Sequence, residues 1–250
     1  MGAAKGILGY PFDSGEFGVI YPPLVKDYVA NDNIAFFYSL ATVTQEDMWD
    51  QYAISRGEDP EGIRYEEAGT PFMQFFTATV QIYNQISEGA YFFLKKMLIP
   101  DIVNVDDGYK IMIVEEDNDD LDSIIILNED NFINFQNALR SAMGNDEVTP
   151  PDPDESPIAA RFKAKARYRD KIAAKSKQAD SLTLDEIIVA TCCMHQGITP
   201  LNVGELSYPG LMSLFDRLQK KEHYDIQVRA ATSGFGGSMK GVKNWMKDNN

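Results

Sequence analysis

Residues capable of metal or covalent chemistry are scarce in this chain of 250 residues, which contains two cysteines and two histidines. The sequence CCMH brings Cys192, Cys193 and His195 together, a combination of ligands that zinc accepts. A structural zinc site usually takes spaced pairs such as C-x₂-C, however, and only His223 remains to complete four ligands. We therefore interpret the two cysteines as reduced residues on an apolar helix, and we predict neither a metal site nor a bound cofactor.

Two further segments contain residue types found in calcium or nucleotide sites. In the acidic segment EEDNDDLD (115–122), Leu121 and Asp122 stand where an EF-hand loop needs an oxygen ligand and a glycine. The segment SGFGGSMKG (233–241) has the glycines and the lysine of a phosphate loop in the wrong order. No nucleophile is paired with a histidine base by a recognisable motif. The sequence therefore predicts no catalytic residue and a protein that is not an enzyme.

A basic helix is the strongest polar signal in the chain. Eight Lys or Arg side chains occur between residues 161 and 177, against one acid, Asp170. Such a helix is typical of a phosphate-binding face for DNA or RNA. The candidate residues are Arg161, Lys163, Lys165, Arg167, Arg169 and Lys171. Because they fall at every second position, they scatter around a helix. Two alternatives therefore stay open: a solvated helix, and a helix docked on the acidic half of the same chain.

Charge and proline content divide the chain into two parts. The formal net charge is −15, but residues 1–156 carry 8 basic and 29 acidic side chains, whereas residues 157–250 carry 15 and 9. The two parts therefore have different electrostatic roles or attract each other. The segment VTPPDPDESP contains four prolines, so it cannot continue a helix or enter a central strand. We predict an acidic α+β domain at 1–147, a linker at 148–157 and a helical domain at 158–250.

The acidic part combines helices with a β-hairpin. A helix is predicted to begin at Thr44, and the next begins at Thr70 with a proline in its first turn. One face of this second helix is apolar, and it consists of Phe72, Phe75, Phe76, Thr79, Val80 and Tyr83. Segments 109–114 and 123–127 are rich in β-branched residues and flank the acidic segment, which predicts a hairpin.

A further helix is predicted from near Asn128 to Gly144, which completes the N-terminal unit. The C-terminal part is predicted to be entirely helical. After the basic helix, SLTLDEIIVATCCMHQG indicates a buried helix with a capping box between Thr183 and Glu186. The segment LMSLFDRLQKKEHYDIQ (211–227) indicates a third helix, whose apolar residues recur at helical spacing. The fold class is therefore α+β, with a mixed N-terminal unit and a small all-helical C-terminal domain.

The order of segments in the C-terminal part resembles that of the tail-assembly-chaperone-type proteins of tailed bacteriophages. In these proteins a helix leads into a turn like ITPLNVGELS, which is residues 198–207 here. A helix with spaced leucines and a lysine follows, matched by residues 211–221. A segment like YDIQ and a terminal tryptophan complete the pattern, matched by residues 224–227 and Trp245. The resemblance covers residues 157–250 and the helix before the linker.

The resemblance implies a protein that binds the long helical tape-measure protein while tail-tube subunits polymerise around it. That activity needs exposed apolar surface between helices and a strong net charge. On this interpretation the partner-binding residues are Leu211, Leu214, Phe215, Leu218, Tyr224, Ile226 and Trp245. On the same interpretation Leu211, Leu214, Phe215 and Leu218 pack inward, and Tyr224, Ile226 and Trp245 form a partner-facing edge. The alternative is that all seven residues form the core of a small helical domain.

Two other functions remain as alternatives: a nucleic-acid-binding accessory factor that uses residues 161–177, and a structural subunit of the virion tail or baseplate. Nucleic acid is not the favoured partner, and no membrane partner is expected. Self-association into a homo-oligomer stays open. The reduced cysteines fit the cytoplasm, so the expected location is the cytoplasm of the host.

Overall fold

The computed structural model describes residues 6–56, 69–102, 108–115, 124–148, 157–177 and 182–233. Its helices are α1 (Val25–Ala30), α2 (Asp32–Ala41), α3 (Gln45–Arg56), α4 (Pro71–Gln81), α5 (Tyr83–Leu94), α6 (Phe132–Ala142), α7 (Pro157–Lys177), α8 (Leu184–Met194) and α9 (Tyr208–Thr232), with a short 3-10 helix at Val203–Glu205. Its strands are β1 (Phe12–Asp13), β2 (Val19–Ile20), β3 (Met97–Asp101), β4 (Lys110–Val114) and β5 (Ile125–Leu127). The predicted α+β class, with a helical C-terminal region, is confirmed.

The strands form two small antiparallel sheets. Strands β1 and β2 pair with each other, and the second sheet has the order β3-β4-β5. The predicted hairpin is confirmed by the pairing of β4 with β5, in which Ile111 lies opposite Leu127. Strand β3 was not predicted, because Pro100 interrupts its sequence. The strand forms at the edge of the sheet, where a residue without an N–H is tolerated.

Aromatic side chains dominate the main core. Helix α4 buries Phe72, Phe75, Phe76 and Thr79, as its spacing predicts. Rings of α4 contact rings of α6, with centroids 5.4 Å apart between Phe75 and Phe132. The predicted face was too long, however. Val80 is exposed, and Tyr83 begins α5, because the chain leaves helical geometry at Ile82 with φ −129°.

The predicted helix starts are mostly correct. The side chain of Thr70 accepts a hydrogen bond from the Met73 N–H, and Thr44 forms a reciprocal pair of hydrogen bonds with Asp47. Helix α6 begins later than predicted, at Phe132 instead of near Asn128. The Asn128 side chain accepts hydrogen bonds from the N–H groups of residues 130 and 131, so it stabilises the turn that precedes the helix.

A second, smaller core joins the N-terminal segment to the C-terminal helices. Val25 of α1 is buried in one cluster with Ile187 of α8, Val203, Leu211 and Phe215 of α9. The adjacent backbone pairs as well, in a bridge between residues 24 and 207. These contacts link the two predicted domains, whose boundary stays a prediction. The predicted linker lies almost entirely outside the described residues, as do most of the acidic segment and the glycine-rich segment.

Within the part of the chain that the structure describes, no helix combines the length and apolar character needed to cross a membrane.

Candidate protein-binding site

Helix α9 is held firmly at its N-terminal end. Ser207 caps the helix by accepting a hydrogen bond from the Gly210 N–H at 3.1 Å, and its hydroxyl donates to the Ile7 carbonyl at 2.7 Å. Tyr208 stacks on Tyr28 of α1, with ring centroids 4.0 Å apart. The first turn of this helix is therefore fixed to the N-terminal unit by a cap, a tertiary hydrogen bond and a ring contact.

The inward residues of α9 lie in its first half. Leu211 is fully buried and Phe215 is 7% exposed, and both belong to the second core. Leu214 and Leu218 are half-buried at the edge of the same side. The structure thus places Leu211 and Phe215 in a structural role and leaves Leu214 and Leu218 partly accessible.

The second half of α9 has no buried residue from 216 to 233. It extends for about 26 Å at 1.5 Å per residue. Ile226 is 56% exposed and Tyr224 is half-buried. These two residues are two positions apart, which places them on opposite sides of the helix. They therefore do not form one edge, and Trp245 lies outside the described residues.

Charged pairs stabilise this exposed half of α9. Lys220 lies 2.7 Å from Asp216, and Lys221 lies 3.2 Å from Asp225, both at the spacing of one helical turn. Each such pair stabilises an exposed helix by about 0.2–0.5 kcal/mol. The half-helix therefore has local support while its apolar side chains stay accessible.

The basic helix α7 docks on the acidic helix α3. Arg167 lies 3.0 Å from Glu46, and Lys171 lies 2.9 Å from Asp47. Lys171 also lies 2.7 Å from Asp50, whose side chain is fully buried. Of the alternatives that the sequence left open, the geometry favours a helix docked on the acidic part of the chain.

The other basic candidates of α7 are dispersed. Arg169 is exposed, Lys163 is exposed and Lys165 is half-buried. The side chain of Arg161 lies outside the described part. The basic candidates whose side chains the structure describes are therefore not all brought to one face, since Arg167 and Lys171 contact α3 while Arg169 is exposed.

The docking changes the proton affinity of two groups. Burial raises the pKa of Asp47, but hydrogen bonds from Lys171 and Thr44 outweigh burial and hold the pKa below its usual value of 3.8. Burial lowers the pKa of Lys171, but contacts with Asp50 and Asp47 outweigh burial and hold the pKa above its usual value of 10.5. Both groups are therefore charged at neutral pH, and the ion pair is intact there.

The acidic partners of α7 were not identified as a site from the sequence. From the sequence, Glu46 and Asp47 indicate only favourable charges in the first turn of α3. A signal was nevertheless present, because Glu46 and Asp50 are four positions apart and share one side of the helix. The spacing of Arg167 and Lys171 is the same. Two charged pairs with matching spacing would have predicted this docking.

The CCMH segment has structural roles in the folded chain. Cys192 packs against the second core, and Cys193 is exposed. His195 ends α8, and its Nδ1 accepts a hydrogen bond from the Gly197 N–H at 3.1 Å. Among the residues that the structure describes, no group of three or more His, Cys, Asp or Glu is arranged to hold a metal ion.

A cleft of about 600 Å³ lies where α9 meets the N-terminal unit, and three tyrosines line it. Burial raises the pKa of Tyr28, Tyr38 and Tyr208 above the usual value. The hydroxyl of Tyr38 accepts a hydrogen bond from the Asn145 side chain at 2.7 Å. The three hydroxyls therefore stay protonated at neutral pH, and that of Tyr38 contributes a neutral hydrogen bond at this junction.

The geometry is that of an α+β protein with a long, partly exposed C-terminal helix. Residues 175–250 match the family model described as the YomV second domain. This family is phage-related, so the match associates the C-terminal part of the chain with bacteriophages. The match covers under a third of the chain and begins near the end of α7. Comparison with curated proteins gave no match, and comparison with solved structures gave none.

Proposed function

We propose that the chain is a non-enzymatic phage morphogenesis protein that acts as a tail assembly chaperone. In this role it binds a helical segment of the tape-measure protein through the second half of α9, in the cytoplasm of the host, while tail-tube subunits assemble. The observation that carries the proposal is the absence of any buried residue from 216 to 233, although this stretch contains Leu218, Tyr224 and Ile226.

The physical argument concerns what an exposed helix can bind. A 25-residue helix whose buried residues all lie in its first half presents the apolar side chains of its second half to a partner without rearranging its own core. The net charge of −15 opposes aggregation of a protein that exposes such side chains. The match of residues 175–250 to a phage-related family supports the part of the proposal that assigns the chain to a phage.

The nucleic-acid alternative has less support from the geometry. Arg167 and Lys171 are paired with carboxylates of α3, and the phosphate contacts of a duplex would compete with those pairs. We therefore do not propose nucleic-acid binding as the function.

The test is an affinity capture of the tagged protein from phage-producing cells, with nuclease present and bound chains identified by mass spectrometry. The Ile226→Glu variant introduces a charge on the exposed half of α9. The control is Val189→Glu, because Val189 is an equally exposed apolar residue on α8, at 61% against 56% for Ile226. We expect the wild type and the control to capture the tape-measure protein, and Ile226→Glu to lose it.

Two outcomes would contradict this function. Capture of the tape-measure protein by Ile226→Glu as efficiently as by the control would exclude the second half of α9 as the binding surface. Detection of the chain as a stoichiometric component of purified particles would favour a structural virion subunit, since a chaperone leaves before the particle is complete.

A further inference from the structure

A cleft of about 470 Å³ lies between the start of α3, the start of α4 and one side of α6, far in sequence from α9. We call it the acidic cleft. Its floor is apolar, because Phe72 and Phe132 are almost fully buried and Ile133 and Val148 are half-buried. The volume lies in the range of about 300–1,000 Å³ that is typical of binding pockets. A bulky apolar side chain of a ligand can therefore pack on this floor.

The rim of the acidic cleft is negatively charged. Among the described residues, Glu46, Glu129 and Glu147 line it, together with one cation, Arg140. The Nε of Arg140 donates to the Asp146 carbonyl at 2.6 Å, which holds this cation at the wall. Glu129 and Glu147 are exposed and have no ion-pair partner within the described part of the chain. The rim thus offers two unpaired carboxylates to a ligand.

The walls of the acidic cleft are fixed by hydrogen bonds. Gln136, which is 3% exposed, donates from Nε2 to the carbonyls of Ala41 at 3.2 Å and Val43 at 2.6 Å. Gln45 donates from Nε2 to the Gly69 carbonyl at 2.9 Å. These contacts join α6 to the end of α2 and the turn before α3, and they join the start of α3 to the segment that precedes α4. The shape is therefore preformed, which lowers the entropy cost of binding.

One rim carboxylate already binds a cation on a helix. Glu46 accepts a hydrogen bond from the Arg167 guanidinium of α7 at 3.0 Å. This contact is an intramolecular example of what the rim does: it binds the basic side chain of a helix that packs beside it. The remaining carboxylates, Glu129 and Glu147, are on the α6 side of the cleft, away from this pair.

We propose that the acidic cleft is a docking site for a basic, amphipathic segment of another protein, in which Lys or Arg side chains flank a bulky apolar side chain. The apolar side chain would pack on Ile133 and Val148, the half-buried part of the floor, and the cations would pair with Glu129 and Glu147. The charge of the rim selects this class of partner, since an acidic segment would be repelled and an uncharged one would leave both carboxylates unpaired. The site is separate from α9.

The experiment measures binding of a fluorescein-labelled peptide of about 14 residues, made of Leu and Lys with Leu at helical spacing, by fluorescence anisotropy. The test variant is Glu129→Gln/Glu147→Gln. The matched control is Asp130→Asn/Asp146→Asn, which changes the net charge by the same amount at neighbouring residues that do not line the cleft. Circular dichroism verifies that both variants are folded.

We expect saturable binding to the wild type and to the matched control, and affinity about three- to tenfold lower for the rim variant, because two exposed ion pairs are lost. A second peptide, with Ser in place of Leu and the same charge, should not bind saturably. High salt should weaken binding of the first peptide to the wild type more than binding to the rim variant.

Three results would overturn the proposal. Equal weakening in the rim variant and the matched control would indicate non-specific attraction to an acidic protein. Equal binding of the Ser peptide would exclude the apolar floor. Self-association of the wild type that the rim variant abolishes, measured by sedimentation, would assign the acidic cleft to a second copy of this chain. The Ile226→Glu variant should bind the peptide normally, so this result is independent of the proposed function.

Discussion

At the scale of single residues, the carboxylate of Asp50 has the strongest requirement for a charged partner. Its carboxylate is fully buried, and burial of an unpaired charge costs several kcal/mol. The cations near it, Lys171 at 2.7 Å and Arg167 at 3.9 Å, both come from α7. Within the described part of the chain, neither carboxylate oxygen of Asp50 makes a hydrogen bond of good geometry, and Arg167 Nε makes none either. The interface between α3 and α7 therefore depends on ion pairing more than on complete hydrogen bonding.

Substitution of Lys171 by Met should destabilise the protein by about 2 kcal/mol. The variant removes the nearest cation from Asp50, and loss of one partner of a buried pair costs about 3–5 kcal/mol. The expected value is smaller because the Lys171 side chain is 35% exposed and solvent screens part of the interaction. The measurement is urea unfolding followed by circular dichroism.

The control for this prediction is Arg169→Met, which removes the same charge from the exposed side of α7. We expect a change of less than about 0.5 kcal/mol, as is usual for surface substitutions. If both variants lose the same stability, the pair between Lys171 and Asp50 contributes nothing beyond the net charge of α7.

At the scale of elements, α2 and α5 approach each other at a glycine. A Cβ added to Gly89 would overlap the Asn33 carbonyl oxygen and the Phe37 Cβ of α2. The contact is close because Gly89 has no side chain, and it brings Phe37 of α2 next to Phe93 of α5, with ring centroids 5.6 Å apart. The glycine thus sets the distance between two helices of the main core.

The Gly89→Ala variant should lose about 2 kcal/mol of stability. Ala is favoured over Gly in a helix by about 1 kcal/mol, but overpacking against the backbone of α2 costs more, typically about 1–3 kcal/mol with further loss as the helices separate. Thermal unfolding provides the measurement. The exposed residue Asn84 lies on the same helix, so Asn84→Ala should leave the melting temperature unchanged or raise it. A stable Gly89→Ala protein would mean that α2 and α5 are further apart than described.

Local signals in the sequence were sufficient for most elements. The caps at Thr44, Thr70 and Thr183 act within three residues of the helix start, so a sequence pattern contains all the information needed. Strand β3 could not be found in this way, because Pro100 argues against a strand and only pairing with β4 makes it one. The end of α4 at Ile82 also has no local sequence signal that distinguishes it from a continuous helix.

The candidate binding site was also only partly predictable from local sequence patterns. Leu211, Leu214, Phe215 and Leu218 were predicted to pack inward, and of these Leu211 and Phe215 are buried while Leu214 and Leu218 are half-buried. The partner that covers them includes Val25, which is 186 residues away from Leu211 in the sequence and has no pattern that links it to α9. The docking of α7 on α3 was one of two structural alternatives, because charge asymmetry predicts attraction without specifying which helices meet.

At the scale of the whole molecule, two interfaces formed by described residues connect the acidic N-terminal part to the C-terminal helices. One is apolar, between α1 and the helices α8 and α9, and the other is ionic, between α3 and α7. Apolar burial is nearly independent of pH, whereas the ionic interface depends on the charge of Glu46, Asp47 and Asp50 against Arg167 and Lys171. The two interfaces should therefore respond differently to pH and salt.

The stability difference between the wild type and Lys171→Met should vary with pH in a defined way. The pKa of Asp47 is lowered by folding, so its contribution is complete above about pH 4 and is lost as the pH falls through the lower folded value. The pKa of Lys171 is raised by folding, so its contribution is complete below about pH 10.5 and is lost as the pH rises through the higher folded value. The difference is therefore largest and constant between these limits.

Urea unfolding of both proteins at a series of pH values measures this difference, and the subtraction removes the titrating groups whose pKa the substitution does not change. Salt at about 1 M shortens the screening length to about 3 Å, so it should reduce the difference for the partly exposed pairs while leaving the apolar interface intact. A difference that is independent of both pH and salt would mean that α7 is held on α3 by packing of its aliphatic side chains. Ion pairs would then not stabilise this interface.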